Sequence, residues 1–205
     1  GPALGFFTAL MLNRRLVGRT FFRAAFFIPV TTSLVVVSTI WKMLLNDQGL
    51  LNRGLALLGV APHAWLTDPS TALPSVCAAS IWQGFGFETV IFLAAMQSLP
   101  RDLYDAAKVD GAPPARQVWH VTLPGLRPTV VFVYIVGIIG AFQAFDQVFV
   151  MTQGGPVGST VTIVYYLVER FRALDLGGAS AAAYLLCFVL AVMSFFQMRL
   201  SRRFA

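Results

Sequence analysis

The length of its apolar runs constrains this chain more than any other feature. The runs at about 21–45, 73–99, 128–151 and 176–198 each reach or pass the ~20 residues with which a helix crosses hydrocarbon. In lipid every backbone polar group must be satisfied within its own segment, so such runs fold as helices. Charged residues make up only 12% of the 205 and hydrophobic residues 57%, whereas a soluble domain carries about 25% charge. Mean hydropathy is +0.73. An unusually apolar soluble helical protein is therefore set aside for an all-α membrane protein. The net charge of +6 could suit nucleic acid. The basic residues, however, sit in the breaks between apolar runs, where the positive-inside rule accounts for them, and no nucleic-acid partner is expected.

The order of runs and breaks predicts a topology. Residues 2–12 are too few to span and read as the last half of a helix; with no Met at position 1, one or more preceding spans are expected. Arg14, Arg15 and Arg19 make the first break cytoplasmic. The run 21–45 contains Pro29 followed by Thr31, Thr32 and Ser33. A proline frees a backbone carbonyl that hydroxyls can satisfy, so a kink is expected there. Trp41 and Lys42 anchor its outer end. Residues 46–72 read as an external loop with an interfacial helix at 50–58 and Trp65, and 73–99 returns inward. Glu88 lies about 16 Å from the Leu99 end at the helical rise per residue, close to the bilayer centre. An ionisable group there is costly unless it faces a cavity or a partner. Residues 128–151 run outward, with Gln143, Asp146 and Gln147 in the outer third. After an external turn at 152–156, the short amphipathic stretch 160–171 lies at the outer surface. The run 176–198 crosses back with Gly178, Ala179, Ala182 and Ala183 as small-xxx-small pairs for close helix contact. Arg199, Arg202 and Arg203 end the chain inside, and only Arg53, Arg170 and Arg172 stand against this topology. Cys77 and Cys187 fall in spans and read as packing residues. No metal, disulfide or catalytic pattern is present.

The longest polar interval, 98–127, carries Arg101, Lys108, Arg116 and Arg127 and is expected on the cytoplasmic face. It reads as two helices joined at a glycine. Ser98 is expected to cap the first and Pro100 fits its first turn. Leu103, Ala106 and Ala107 form a small apolar stripe, and Gly111 ends the helix in a left-handed conformation. Pro113 and Pro114 open the second helix, which runs through Trp119 to about Thr122, and Leu123-Pro124 closes it.

This interval resembles the cytoplasmic EAA loop of permease subunits of binding-protein-dependent ABC importers. That pattern is roughly E-A-A, two residues, D-G-A, then an aromatic, an aliphatic and L-P. Here stand Asp105-Ala106-Ala107-Lys108-Val109-Asp110-Gly111-Ala112 and, later, Trp119, Val121, Leu123 and Pro124. Asp105 replaces the usual Glu and Trp119 the usual Phe. A second likeness is carried by Phe145-Asp146, Thr152-Gln153-Gly154-Gly155-Pro156, Thr160, Tyr165 and Leu167, with Gln97-Ser98-Leu99-Pro100 upstream. These are similar to the carbohydrate-uptake branch, the maltose and glycerol-phosphate type.

The resemblance implies a type I ABC importer permease fold: one transmembrane domain over 1–205, about five visible spans with the first partial, and an EAA coupling helix–turn–helix at 98–127. It implies that Leu103, Asp105, Ala106, Ala107, Asp110, Gly111, Ala112, Trp119, Leu123 and Pro124 couple the subunit to ATPase partners. Asp105 would offer its carboxylate to a basic residue of the ATPase, and Leu103 and Trp119 would bury apolar surface. The implied partners are a second permease subunit in a hetero-dimer, two cytoplasmic ATPase subunits, and an external or lipid-anchored solute-binding protein, in a prokaryotic inner or plasma membrane. The chain itself would be no enzyme and would bind no cofactor; ATP and Mg would sit on the partner ATPases. Sites of this kind lie near the midplane, which makes Trp82, Gln83, Phe87, Glu88, Phe142, Gln143 and Asp146 the substrate-pathway candidates. No cation shares the depth of Glu88, which favours a neutral sugar or polyol over the alternative, glycerol 3-phosphate or another anion. An ion-coupled carrier without an ATPase would want paired intramembrane charges and unwound helices in two repeats, which the sequence does not present.

Overall fold

The computed structural model describes residues 1–13 and 19–201. Arg14, Arg15, Arg202 and Arg203, which carry part of the expected inside charge, lie outside the described residues. Among the described residues the regular elements are all helical: α1 (Pro2–Asn13), α2 (Arg19–Thr31), α3 (Leu34–Leu44), α4 (Leu50–Leu57), α5 (Pro69–Ser98), α6 (Arg101–Val109), α7 (Pro114–Gln117), a π-helical turn (Val118–Thr122), α8 (Leu123–Gly125), α9 (Arg127–Phe142), α10 (Asp146–Met151), α11 (Ile163–Arg172) and α12 (Leu176–Ser201). Among the described residues two helices, α5 and α12, are long and apolar enough to cross a membrane alone. The α2–α3 pair, and the 114–125 rod with α9, qualify only as bent pairs, and α1 is a shorter apolar helix. This is the all-α membrane architecture that the runs imply.

The chain divides into two units, one of Gly1–Ile28, Phe85–Ile138 and Val192–Ala205, the other of Pro29–Gly84 and Ile139–Ala191. In the first, α1 packs on α5. Gly5 lies directly against Glu88. A turn further on, the Thr8 and Thr89 hydroxyls share a hydrogen bond of 2.5 Å. Ala9 and Leu12 then meet Phe92, Leu93 and Met96, and Leu126 and Val133 complete the core. In lipid such a core is held by close packing rather than by transfer from water, so small residues at the crossing matter as much as large ones.

In the second unit Leu45, Val76, Ala79, Val148, Met151 and Tyr165 form the core, ringed by Trp41, Trp65 and Phe145 among others. Trp41 packs edge-on against Trp82 at 5.8 Å, and Lys42 Nζ donates to Val150 O at 3.0 Å. The expected 21–45 span is broken. Helix α2 passes through Pro29, ends at Thr31, and the chain resumes at Leu34. Thr32 N donates to Pro29 O at 3.3 Å, and Ser33 O starts α3 by accepting from Val37 N at 3.0 Å. The two helices meet at 99°, so the expected bend near Pro29 is present, three residues after the proline, at Thr32-Ser33, and it is sharp enough to end one helix and start another.

The expected continuous run 128–151 is broken too. Helix α9 stops at Phe142 and α10 starts at Asp146. The opening leaves Ala144 O free of its helix, and Thr162 Oγ1 donates to it at 2.7 Å. Helix α5 begins earlier than read, because Asp68 Oδ1 accepts from Ser70 N at 2.8 Å and from its hydroxyl at 2.7 Å. On α12, Ala179 and Ala182 are the buried small residues and Ala183 is exposed, so the contact follows an i,i+3 pair rather than small-xxx-small. Cys77 and Cys187 are both exposed, not packed.

Candidate functional site

The segment between α5 and α9 is a helical hairpin. Ser98 is the last residue of α5 and its hydroxyl donates back to Ala95 O at 2.9 Å. It does not cap α6, which begins after an extended Pro100 with no side-chain cap. Asp102 in the first turn and Lys108 in the last complement the helix dipole. At the far end Gly111 has φ +73°. Ala112 N donates to Ala107 O at 2.9 Å and Gly111 N to Lys108 O at 3.0 Å, the paired closure of a Schellman motif. A Cβ built on Gly111 would meet nothing within 4 Å. Backbone conformation, not space, therefore demands glycine here.

The return arm starts with Pro114 in the first turn of α7, and Gln117 Nε2 donates across the tip to Ala112 O at 2.8 Å. The next turn is wide, with Leu123 N donating to Val118 O. In a regular helix the Pro124 ring would press on the carbonyl four residues earlier; a π turn just before it relieves that clash. The rod thus continues through Leu123-Pro124 to Gly125 instead of closing there. It then turns through 69° into α9, and the elbow residue Leu126 is buried in the first unit's core. Two ties hold the arms together. Tyr104 Oη and Thr122 Oγ1 lie 3.0 Å apart, and Leu99 packs over Gly125.

The expected stripe divides. Ala107 and Tyr104 turn half-buried toward the return arm, while Leu103, Ala106, Asp105 and Asp110 are exposed. Leu103 is 49% exposed, Trp119 67%, and Val109, absent from the expected set, 89%. Ala112, Leu123 and Pro124 are half-buried and belong to the hairpin's own packing. Asp105 pairs with Lys108 at 2.7 Å on an open surface. Such a pair is worth about 0–1 kcal/mol and is easily exchanged for another cation. Tyr104, Thr122 and Leu126 escaped the sequence reading. Their signal was the i,i+3 spacing of Tyr104 and Ala107, opposite the Leu103–Ala106 face.

The second resemblance, around residues 152–165, also forms one cluster, facing inward. Gln153 and Gly154 both have positive φ, 53° and 77°. Thr160, 1% exposed, donates to Gly155 O at 2.8 Å and lies 2.7 Å from the Thr152 hydroxyl. Tyr165 Oη donates to Gln153 O at 2.7 Å. A Cβ on Gly154 would lie 2.8 Å from the Tyr165 ring. Burial, then the Glu169 charge, raises the Tyr165 hydroxyl pKa, against a smaller lowering by Arg172.

The substrate-pathway candidates divide between the units. In the first, Phe87 is exposed and Glu88 half-buried, with Glu88 Oε2 lacking a hydrogen-bond partner. In the second, Trp82 rests on Trp41 and Gln83 is half-buried. Phe142 and Gln143 stand exposed at the end of α9, and Asp146 opens α10, where a carboxylate suits the helix N-terminus.

A family described as "Binding-protein-dependent transport system inner membrane component" matches residues 1–205. The trehalose/maltose transport system permease protein of Thermococcus litoralis is 38% identical over 193 residues, 94% of this chain and 65% of that protein. The lactose transport system permease protein of Rhizobium radiobacter is 34% identical over 201 residues, 95% of this chain and 67% of the relative. The chain thus spans about two thirds of the length of these relatives. In structure it is similar to a bacterial ABC transporter involved in the import of the acidic polysaccharide alginate, with a TM-score of 0.91, 25% identity, and coverage of 99% of this chain and 73% of that one. A related structure, the alginate transporter in complex with its alginate pentasaccharide-bound periplasmic protein, has a TM-score of 0.89, 25% identity, and coverage of 98% and 71%. The chain belongs to the family of binding-protein-dependent transport system inner membrane components.

Proposed function

We propose that this chain is the transmembrane subunit of an ATP-driven importer that receives a sugar or related polyol from an external solute-binding protein. It would pair with a second, similar subunit, and two cytoplasmic ATPase subunits carrying ATP and Mg would drive it. The observation that carries this reading is the 101–125 hairpin: a short polar segment with Leu103, Val109 and Trp119 exposed at its surface and its elbow, Leu126, buried in the core. Exposed large apolar groups on a water-facing segment favour a partner surface. A hairpin braced by the Tyr104–Thr122 bond moves as one piece. Closure of the ATPases would push on it and, through Leu126, on α1, α5 and α9. The hairpin thereby biases a two-state rearrangement of the membrane helices.

The cargo follows from the relatives named for trehalose, maltose and lactose. The structural neighbour that imports an acidic polysaccharide supports a second reading, an anionic carbohydrate. The test is to purify the assembly and screen solutes for stimulated ATP hydrolysis. Stimulation by a neutral sugar supports the first reading, and stimulation only by anionic solutes moves the cargo to the second. Gly111→Val is expected to abolish ATP-driven uptake while the subunit still inserts; normal uptake would remove the coupling role.

A further inference from the structure

Arg53, Arg170 and Arg172 stand against the expected topology, and two of the three are neutralised locally. Arg170 meets Asp175 at 3.3 Å and Arg172 meets Glu169 at 3.8 Å. Arg53 has no carboxylate partner among the described residues. It lines a groove of about 340 Å³ between α3 and α4 together with Ile40, Met43, Leu44, Gln48 and Leu50. Ile40, Met43 and Leu50 are 50%, 70% and 67% exposed.

The groove is built, not incidental. A Cβ on Gly49 would lie 2.4 Å from Leu44 O and 2.7 Å from Met43 O, so only glycine lets α4 start this close to the end of α3. Helix α4 is also turned inside out. Its polar residue Asn52 is buried, donating to Asp47 O at 3.0 Å and His63 O at 2.9 Å. The Asn52 side-chain oxygen accepts from His63 N at 3.1 Å and from the Trp65 indole at 2.9 Å. Its Leu50 and Leu57 are 67% and 90% exposed, and Leu58 just past its end is 79% exposed. A helix anchored this way does not present its apolar face to water. Only five residues separate Leu44 from Leu50, a reach of at most about 20 Å of chain, so α4 stays at the edge of the bilayer in which this family resides.

We infer that the α3–α4 groove is a lipid site: an acyl chain of an anionic phospholipid fills it and the lipid phosphate is held by Arg53. Apolar walls with one guanidinium that has no carboxylate partner among the described residues match such a ligand, since arginine binds phosphate through a planar fork of donors. The inference requires a membrane placement and is independent of cargo and ATPase partner.

The test uses the whole transporter in lipid nanodiscs containing a trace of phosphatidylglycerol with a photoactivatable acyl chain. After irradiation, label is mapped to peptides by mass spectrometry. Label is expected within 40–53. Arg53→Gln should lower it about tenfold, the effect of losing one charge-assisted hydrogen bond. Arg53→Lys, which keeps the charge but loses the planar fork, should fall between Arg53→Gln and the parent, and Arg170→Gln should stay within about twofold of the parent. Equal labelling of Arg53→Gln and the parent overturns the site, as does label concentrated on α12 instead. Displacement of the label by excess inorganic phosphate would also overturn it, by making the ligand a free anion. Solute-stimulated ATP hydrolysis on the same samples reports the import reading separately, so either can fail alone.

Discussion

Residues 101–125 and 152–165 are both polar interruptions built on a glycine with positive φ, and they treat their marked residues in opposite ways. The 101–125 hairpin keeps its bracing residues, Tyr104 and Thr122, inside and leaves Leu103, Asp105 and Trp119 outside. At 152–165 the residues that carry the resemblance bind one another: Thr152 to Thr160, Thr160 to Gly155, Tyr165 to Gln153. The glycines differ in the same sense. Gly111 has open space around it, and Gly154 has the Tyr165 ring against it. A residue set that carries a resemblance can therefore form an exposed surface or a loop locked on itself. Only exposure and hydrogen bonding tell the two apart.

This contrast predicts that changes at 152–165 act on stability and changes on the hairpin face act on association. The largest stability effect is expected for Gly154→Val, which combines a left-handed backbone with a side chain pushed into the Tyr165 ring. A loss of about 3 kcal/mol follows, read as a lowered Tm of the purified assembly. An unchanged Tm would show that the loop is not a lock. Thr160→Val should cost about 2 kcal/mol, because Gly155 O and the Thr152 hydroxyl are left buried with one partner fewer.

The pH dependence follows from Tyr165. Its pKa is raised in the folded state. The associated stability is therefore present below the unfolded value, about 10, and is lost as pH rises through the folded value, where the phenolate can no longer donate to Gln153 O. Alkaline thermal scans of Tyr165→Phe should lack that component. The smallest stability effect belongs to Trp119→Ala, within about 0.5 kcal/mol because the side chain is mostly exposed, yet co-purification of the ATPase subunits should fall sharply. If Trp119→Ala destabilised the permease as much as Thr160→Val, the distinction between the two loops would collapse.

The legible part of the fold was the part set by sums over many residues. Hydropathy located the helices, the basic breaks proposed a topology, and the spacing of Asp105-Ala106-Ala107 to Gly111 located the hairpin and its turn. Points decided by one particular partner, near or far in the chain, were not legible. Ser98 bonds back to Ala95 rather than forward into α6. The 128–151 run is apolar enough to be continuous, but Thr162, nearly twenty residues on, takes up Ala144 O and sustains the break. Leu50–Leu57 scans as an ordinary amphipathic helix, but Asn52 draws its polar side inward through His63 and Trp65.

By itself, then, the sequence determined a helical membrane protein with a polar helix–turn–helix between two of its apolar runs, because chain length against bilayer thickness and glycine against a left-handed turn are local constraints. Tertiary structure alone decided which residues face out. It exposed Leu103 and Trp119, tied Tyr104 to Thr122, buried Leu126 as the elbow, folded Thr160 and Tyr165 inward, and left Arg53 lining an apolar groove with no carboxylate partner among the described residues. Orientation of that kind depends on hydrogen bonds and close contacts between residues far apart in the chain, which local pattern does not encode.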